Sequence, residues 1–427
     1  MLQSLHIENY KSLHKVSINL PSFAALVGPN AAGKSNFVDA IEFLSVVAQS
    51  GLPKAVTDKG GYENICFRRT RRAKGAIRFS LYVDGLKLSF SEGKGEGRDY
   101  EVGFRYEFSF RAAGRAISTK YEVEEERMWI TYTDMKTGRR VDNLPLYEYP
   151  LNMGFLPRAD SEDPGPLVPG RDFMSKILEG VKDTKPGDDL LLTTLFRGWP
   201  PFVFLVDYLS SLRVFQVMPS YARQPASASG SSEMGKYGEN LPAALRSLQR
   251  ESGEAFDELL DNLRLAVPTM ERVETDYVET RQLGLFLKES GMSRRLYSSE
   301  LSDGTLRTIG IFLPLTDPSH TLVVIEEPEN CTHPWVTRQF VKSCREHSAA
   351  KQIILTTHSP VLVSQLTAGE LLVVEKFNGE TQIRPVPRED MDSISSGRLM
   401  DLGAYWDSGA LGGVPAQLEL FQLKKSR

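Results

Sequence analysis

The sequence predicts an α/β fold of the phosphate-loop type, with an added antiparallel β layer and a largely helical insert. Three observations predict it. The apolar run Ala24–Val27 closes on a glycine-rich segment, the stretch SNFVDAIEFLSVV after that segment keeps helical periodicity, and the continuous apolar runs in TLVVIEE and QIILTT read as buried strands.

Each element follows from its local pattern. Leu5 and Ile7 alternate with polar residues, as do Val16, Ile18 and Leu20, which predicts two strands ahead of the apolar run. From about 65 to 135 the period becomes two (AIRFSLYV, KLSFSE, YEVGFRYEFSF, ISTKYEVEEERMWITY), and glycines at the turns suggest an antiparallel meander. Residues 1–135 are therefore expected to form an N-terminal lobe. NLPLYEYP and SEDPGPLVPG make 136–175 a long irregular connection, and 176–275 reads as mostly helical around the flexible stretch QPASASGSSEMGKYG. Together these form an insert over 136–282, and its repeated Pro and Gly exclude a long coiled-coil arm. The C-terminal lobe, 283–427, starts with LGLFLK and RRLYS as a hairpin. A helix over 304–316, the strand TLVVIEE, a helix over 334–348 and the strand QIILTT follow, with LLVVEK and TQIRPV as edge strands.

Composition narrows the function. Of 427 residues, 41% are hydrophobic and 25% charged, which fits a globular chain and excludes wholesale disorder. With 51 Lys+Arg against 55 Asp+Glu the net charge is -4, so bulk charge does not hold this protein to nucleic acid. Cys66, Cys331 and Cys344 are too few and too irregular for a disulfide framework or a CxxC zinc site. The opening MLQSLHIENYKSL lacks the basic and apolar regions of a signal peptide, and no apolar run approaches the roughly 18 residues that span a bilayer. A cytoplasmic protein without a membrane partner is expected.

The chemistry concentrates in two strings. Gly28-Pro29-Asn30-Ala31-Ala32-Gly33-Lys34-Ser35, followed by Asn36, fits G-x-x-x-x-G-K-[ST] between a strand and a helix. Glycines let backbone N–H groups curl round a phosphate chain, Lys34 reaches the β and γ phosphates, and the Ser35 hydroxyl completes a Mg²⁺ shell. The bland alternative is a glycine-rich turn capping a helix. The second string, Leu322 to Glu329, ends a buried strand in carboxylates: Glu326 as a Mg²⁺ holder and Glu327 as the residue that orients or deprotonates water. An acidic strand end facing solvent is the competing reading. ATP or GTP is the substrate class that the two strings imply.

The elements NYKSL, GPNAAGKSN, LSDGTLR, VIEEPEN and THSP occur in that order. Together they resemble the ABC-type ATPase heads of the SMC/RecF/OLD group, in particular the stand-alone ATPases of the AAA15 and AAA21 kind. The resemblance covers about 1–60 and 283–376. It implies ATP and Mg²⁺ as cofactors and a homodimer that sandwiches two ATP molecules. Ser302, Asp303 and Gly304 match the signature that caps the γ-phosphate of the opposite subunit. His358 matches the γ-phosphate-sensing histidine, and Asn9, Tyr10, Lys11 and Ser12 match the loop beside base and ribose. Two departures stand out. Tyr62-Glu63-Asn64 occupies the region where the family has its Q-loop glutamine, and Glu375 lacks the downstream DxD partner of a nuclease cluster, so a separate effector is expected.

Several residues keep two readings. A hydrogen-bonded turn competes with the sensor at His358, and a helix-start residue competes with the subunit-contacting loop at His333. Arg68, Arg69, Arg71 and Arg72, with Lys74 and Arg78, form either a solvated run or a patch for DNA or RNA phosphates. The function expected is an ATP-hydrolysing switch in nucleic-acid surveillance, such as repair or anti-phage defence. The alternative is an ATP-dependent scaffold that holds or inhibits a partner with little turnover.

Overall fold

The computed structural model describes residues 1–68, 75–90, 98–113, 120–150, 188–387, 401–409 and 411–412. The chain opens with strands β1 (Leu2–Tyr10), β2 (Leu13–Asn19) and β3 (Phe23–Val27) and enters helix α1 (Lys34–Ser50). Four strands follow: β4 (Ile77–Phe90), β5 (Arg98–Ala112), β6 (Tyr121–Asp134) and β7 (Arg140–Tyr149). After α2 (Phe202–Ser210) come β8 (Leu212–Phe215), β9 (Ala226–Ser227), α3 (Leu241–Glu251), α4 (Gly253–Ala266), β10 (Met270–Glu279), β11 (Gln282–Glu289) and β12 (Leu296–Tyr297). The final part alternates through α5 (Asp303–Thr316), β13 (Leu322–Glu326), α6 (Pro334–His347), β14 (Gln352–Thr357), β15 (Leu371–Phe377) and β16 (Glu380–Pro385).

These elements divide into two compact units, each built from three chain segments. The first draws on Met1–Leu20, Asn36–Leu212 and Lys376–Ile383; the second draws on Pro21–Ser35, Arg213–Glu375 and Arg384–Arg427. This division differs from boundaries at 135 and 282. β3 pairs in parallel with β14 and β15, so the segment that leads into the phosphate loop belongs with residues more than three hundred positions away.

In the first unit an antiparallel sheet runs in the order β2-β1-β4-β5-β6-β7. Alternation along β5 buries Tyr100, Val102, Phe104, Tyr106, Phe108 and Phe110 on one side, and Phe79, Phe108, Phe110 and Phe43 stack in a ladder. β7 lies in the segment read as irregular. Its Pro145 is opposite Trp129 at a register shift on the sheet's outermost strand, where a missing N–H costs least.

The other six-stranded sheet runs β16-β15-β3-β14-β13-β8, and its run from β15 to β8 forms the sheet of the second unit. β3, β13, β14 and β15 pair in parallel and are buried over most of their length, which explains their unbroken apolar runs. β15 was expected at an edge, yet it pairs with β3, and β16 takes the outer place. α5 is buried from Leu306 to Thr316 and packs with α4 and α6 into the unit's core. The expected helical stretch runs too far: Met270–Thr275 alternates as ERVET and pairs with β11 as part of β10. The hairpin of LGLFLK with RRLYS forms through Phe286 opposite Tyr297.

Candidate functional site at the carboxyl edge of the parallel sheet

Three strand ends of the second unit share one edge. Glu326 of β13 lies beside Thr356 of β14, and Thr357 lies beside Val27 of β3. Open parallel sheets bind ligands at this carboxyl edge. From Val27 the chain turns through Gly28–Gly33 into α1. A Cβ on Gly28 would stand 2.2 Å from the Val374 carbonyl oxygen, so only glycine fits there. Ala31 (φ 64°) and Gly33 (φ 111°) adopt left-handed backbone and curl the loop. Lys34 is 6% exposed, and its ammonium donates to the carbonyls of Gly28 at 2.6 Å and Pro29 at 3.1 Å. Burial lowers its pKa, while the carboxylates of Glu327, Glu329 and Glu326 pull it back up. Asn30 on the loop and Ser35 in the first turn of α1 are exposed.

The acidic strand end brings three carboxylates where the sequence reading used two. Glu326 closes β13 and is buried. Glu327 leaves the strand at φ 48°, a left-handed conformation that costs on the order of 1 kcal/mol for a residue with a Cβ. Its backbone is hydrogen-bonded on both sides: its N–H donates to the Thr356 carbonyl at 2.9 Å and Oγ1 at 3.3 Å, and its carbonyl accepts from Arg307 Nη2 at 2.8 Å and from the Asn330 N–H at 3.1 Å. Its carboxylate accepts from Asn330 Nδ2 at 2.7 Å and lies 3.3 Å from His358 Nδ1, ion-pair distance without hydrogen-bond alignment. Glu329 Oε1 accepts from Thr357 Oγ1 at 2.5 Å, and its buried Oε2 has no partner among the described residues. Burial pushes the Glu329 pKa up, against the Thr357 hydrogen bond and the nearby His358. Glu329 and Asn330 were visible in the string VIEEPEN as polar residues that had no assigned work. Arg307 ends the string LSDGTLR, where no role was assigned to it.

The LSDGT segment begins α5. Ser302 caps the helix, its Oγ accepting from the Thr305 N–H at 3.1 Å. A Cβ on Gly304 would stand 2.8 Å from the Cys331 carbonyl oxygen. Asp303 pairs with Arg223 at 2.7 Å, and Arg223 also donates to the Ser298 and Leu301 carbonyls at 3.2 and 3.0 Å. Arg223 thus ties down the segment that presents Ser302, a contact no spacing rule announces. His333 caps α6, its Nδ1 accepting from the Trp335 N–H at 3.2 Å, which is the work of a helix-start residue.

A buried lysine facing three carboxylates, a glycine-only cradle and an orphaned carboxylate oxygen fit a polyphosphate with its divalent cation. The profile of a family described as "AAA domain, putative AbiEii toxin, Type IV TA system" matches residues 23–364, a span that includes every one of these groups. The chain belongs to this family. It is an α/β chain whose phosphate loop lies at the carboxyl edge of a parallel sheet, within the matched AAA domain.

Curated relatives of this AAA-domain chain share shorter stretches. Structural maintenance of chromosomes protein 1 of Schizosaccharomyces pombe is 31% identical over 129 residues, 29% of this chain and 10% of that protein. Chromosome partition protein Smc of Methanocaldococcus jannaschii is 50% identical over 44 residues, 10% of this chain and 4% of that protein. The chain therefore spans a small part of the length of these relatives. Among solved structures, an SMC head domain from Thermotoga maritima superposes with a TM-score of 0.41 at 14% identity, covering 90% of this chain and 99% of the other. A SmcHead bound to the C-winged helix domain of ScpA gives 0.46 at 14% identity, covering 92% and 99%.

Lys11, Ser12, Asn36 and Tyr62-Glu63-Asn64 of this AAA-domain chain lie in the first unit and are engaged there. Lys11 pairs with Asp39 at 2.6 Å, and Tyr10 Oη and Lys59 also donate to Asp39, each at 2.6 Å. Burial alone would raise the Asp39 pKa, but the bonds from Lys11, Lys59 and Tyr10 hold it below the ordinary carboxylate value. Asn36 Nδ2 donates to Ser12 Oγ at 2.6 Å, and Ser12 shares a hydrogen with Thr381 at 2.6 Å. Tyr62-Glu63-Asn64 form a helical turn in which Glu63 pairs with Arg68 at 3.1 Å. Arg69, Arg71 and Arg72 lie outside the described residues. In the second unit Glu375 pairs with Arg384 at 3.2 Å. No helix among the described residues is long and apolar enough to cross a membrane.

Proposed function

We propose that this chain binds and hydrolyses ATP with Mg²⁺ at the carboxyl edge of its parallel sheet, and that two copies close on two nucleotides as a switch. The observation that carries this reading is the glycine-only loop ending in the buried Lys34, set at the same sheet edge as the strand end that carries Glu326 and Glu327. Backbone N–H groups of Gly28–Ser35, with Asn30 on the loop, receive the phosphates, and Lys34 exchanges the Gly28 and Pro29 carbonyls for phosphate oxygens. Ser35 and Glu326 would hold Mg²⁺, which neutralises phosphate charge when bound. Glu327 orients the attacking water and takes its proton on a carboxylate oxygen, with His358 beside that carboxylate to sense the γ-phosphate. Ser302 and Gly304 of the partner subunit complete the site, while Lys11 and Asn36 support the nucleotide from the segment before and the helix after the loop.

The use of the switch in this reading is cytoplasmic nucleic-acid surveillance, in repair or defence, with a separate effector protein and with Arg68, Arg69, Arg71 and Arg72 as DNA or RNA contacts. Two findings support that use. The family description names a toxin–antitoxin system, and a solved SMC head carries a domain of a second protein. Light scattering of Glu327→Gln with and without ATP and Mg²⁺, beside the wild-type hydrolysis rate, tests the proposal. Turnover by wild type, with doubling of the variant's mass only on adding ATP, supports the switch. ATP binding at constant mass with negligible wild-type turnover would instead mean a scaffold.

A further inference from the structure

Arg307 is a guanidinium 5% exposed, with no ion pair among the described residues. Burying a charge that way is expensive unless hydrogen bonds compensate it. Two backbone carbonyls do so: Nη1 donates to Val217 at 2.6 Å and Nη2 to Glu327 at 2.8 Å, while Nε is buried without a partner. The second carbonyl belongs to the residue held in left-handed backbone at φ 48°, whose carboxylate meets Asn330 and His358. Arg307 also stands on α5, one turn beyond Ser302 and Gly304. A Cβ on Gly304 would stand 2.8 Å from the Cys331 carbonyl oxygen, so α5 runs close to the Glu327–Cys331 loop at Gly304 as well as bonding to it through Arg307.

We infer that Arg307 is a positioning residue that holds Glu327 in its strained turn and transmits displacement of the Ser302–Gly304 segment to that residue. A lysine could reach one carbonyl but lacks the planar fork that bridges two. The bridge gives each subunit a path from the segment that reads a partner's nucleotide to the residue that activates water over its own. Two sites joined by such paths fire together. This inference rests on the reading of Glu327 as the water-activating residue.

The experiment uses the full chain as wild type, Arg307→Lys, Arg307→Ala and Glu327→Gln. For each, kcat, the ATP-concentration profile, affinity for a fluorescent ATP analogue and melting temperature are measured. Arg307→Lys is expected to lower kcat roughly 10- to 100-fold, as a misplaced catalytic group does. Its nucleotide affinity should stay within about twofold of wild type, and a sigmoidal wild-type profile should become hyperbolic. Millimolar guanidinium chloride should restore part of the Arg307→Ala activity and none of the Glu327→Gln activity. Wild-type kcat in Arg307→Lys overturns the inference. So does parallel loss of kcat, nucleotide affinity and melting temperature in both arginine variants, which would make Arg307 a stability residue only. A wild type without turnover, or Glu327→Gln at the wild-type rate, instead removes the reading of Glu327, and this inference goes with it.

Discussion

Glu126 of the first unit and Glu329 of the second both place a carboxylate oxygen out of water, and the fold treats them oppositely. Glu126 is fully buried and accepts four hydrogen bonds: Tyr106 Oη at 2.8 Å, Tyr147 Oη at 2.7 Å, and the N–H groups of Leu191 and Leu192 at 2.7 and 3.0 Å. Glu329 has one donor, Thr357, and a buried oxygen with none among the described residues. Every acceptor left dry costs free energy, so a fold keeps such a group where something else supplies the missing donor. The first arrangement closes a structure on itself. The second leaves one acceptor that the described residues do not meet.

The sharpest way to test that contrast is to remove Lys34 from the proposed nucleotide site. Lys34→Ala is expected to weaken ATP binding by about 100-fold or more, read by calorimetry, and to leave the urea midpoint nearly unchanged. Glu126→Gln should behave in the reverse manner, costing about 2–4 kcal/mol of stability at unchanged ATP affinity, because an amide cannot accept what the carboxylate accepts. If that variant loses ATP binding at full stability, the contrast collapses. The same residue carries a pH signature. Burial holds its pKa above 4.5 although the four donors oppose the shift, so the folded chain keeps a proton that the unfolded chain releases. The wild type's stability relative to Glu126→Gln should therefore fall as pH rises through the window above 4.5. Glu329→Gln should show the smallest effect, roughly a threefold to tenfold change in ATP affinity with stability within about 0.5 kcal/mol. A multi-kilocalorie stability loss there would place Glu329 in the same class as Glu126.

The legible part of this molecule was the part whose chemistry is local. Gly28–Ser35 and Leu322–Glu327 declare themselves because a phosphate loop and a buried parallel strand each need consecutive residues of fixed type. Helices α3, α4, α5 and α6 were legible from periodicity. What escaped was set by distant contacts. Arg307 closes the string LSDGTLR but shows no role until Val217 and Glu327 are brought to it, and Arg223 is one more polar residue until Ser298, Leu301 and Asp303 fold over it. β7 was hidden by Asn143 and Pro145, residues that discourage a central strand and are tolerated on an outer one. β15 read as an edge because its partner β3 is more than three hundred residues upstream.

That separation also has a consequence for biosynthesis. The strand that leads into the phosphate loop leaves the ribosome more than three hundred residues ahead of the strands on either side of it, β14 and β15, which start at Gln352 and Leu371. Until then Gly28 has no Val374 carbonyl to close against, and Lys34 has none of the three carboxylates around it. Contacts of such long range form late in folding. A nascent or truncated product ending before Gln352 would carry the complete GPNAAGKS string and no affinity for nucleotide. ATP can stabilise the finished protein by mass action, but it arrives too late to guide the assembly of its own site.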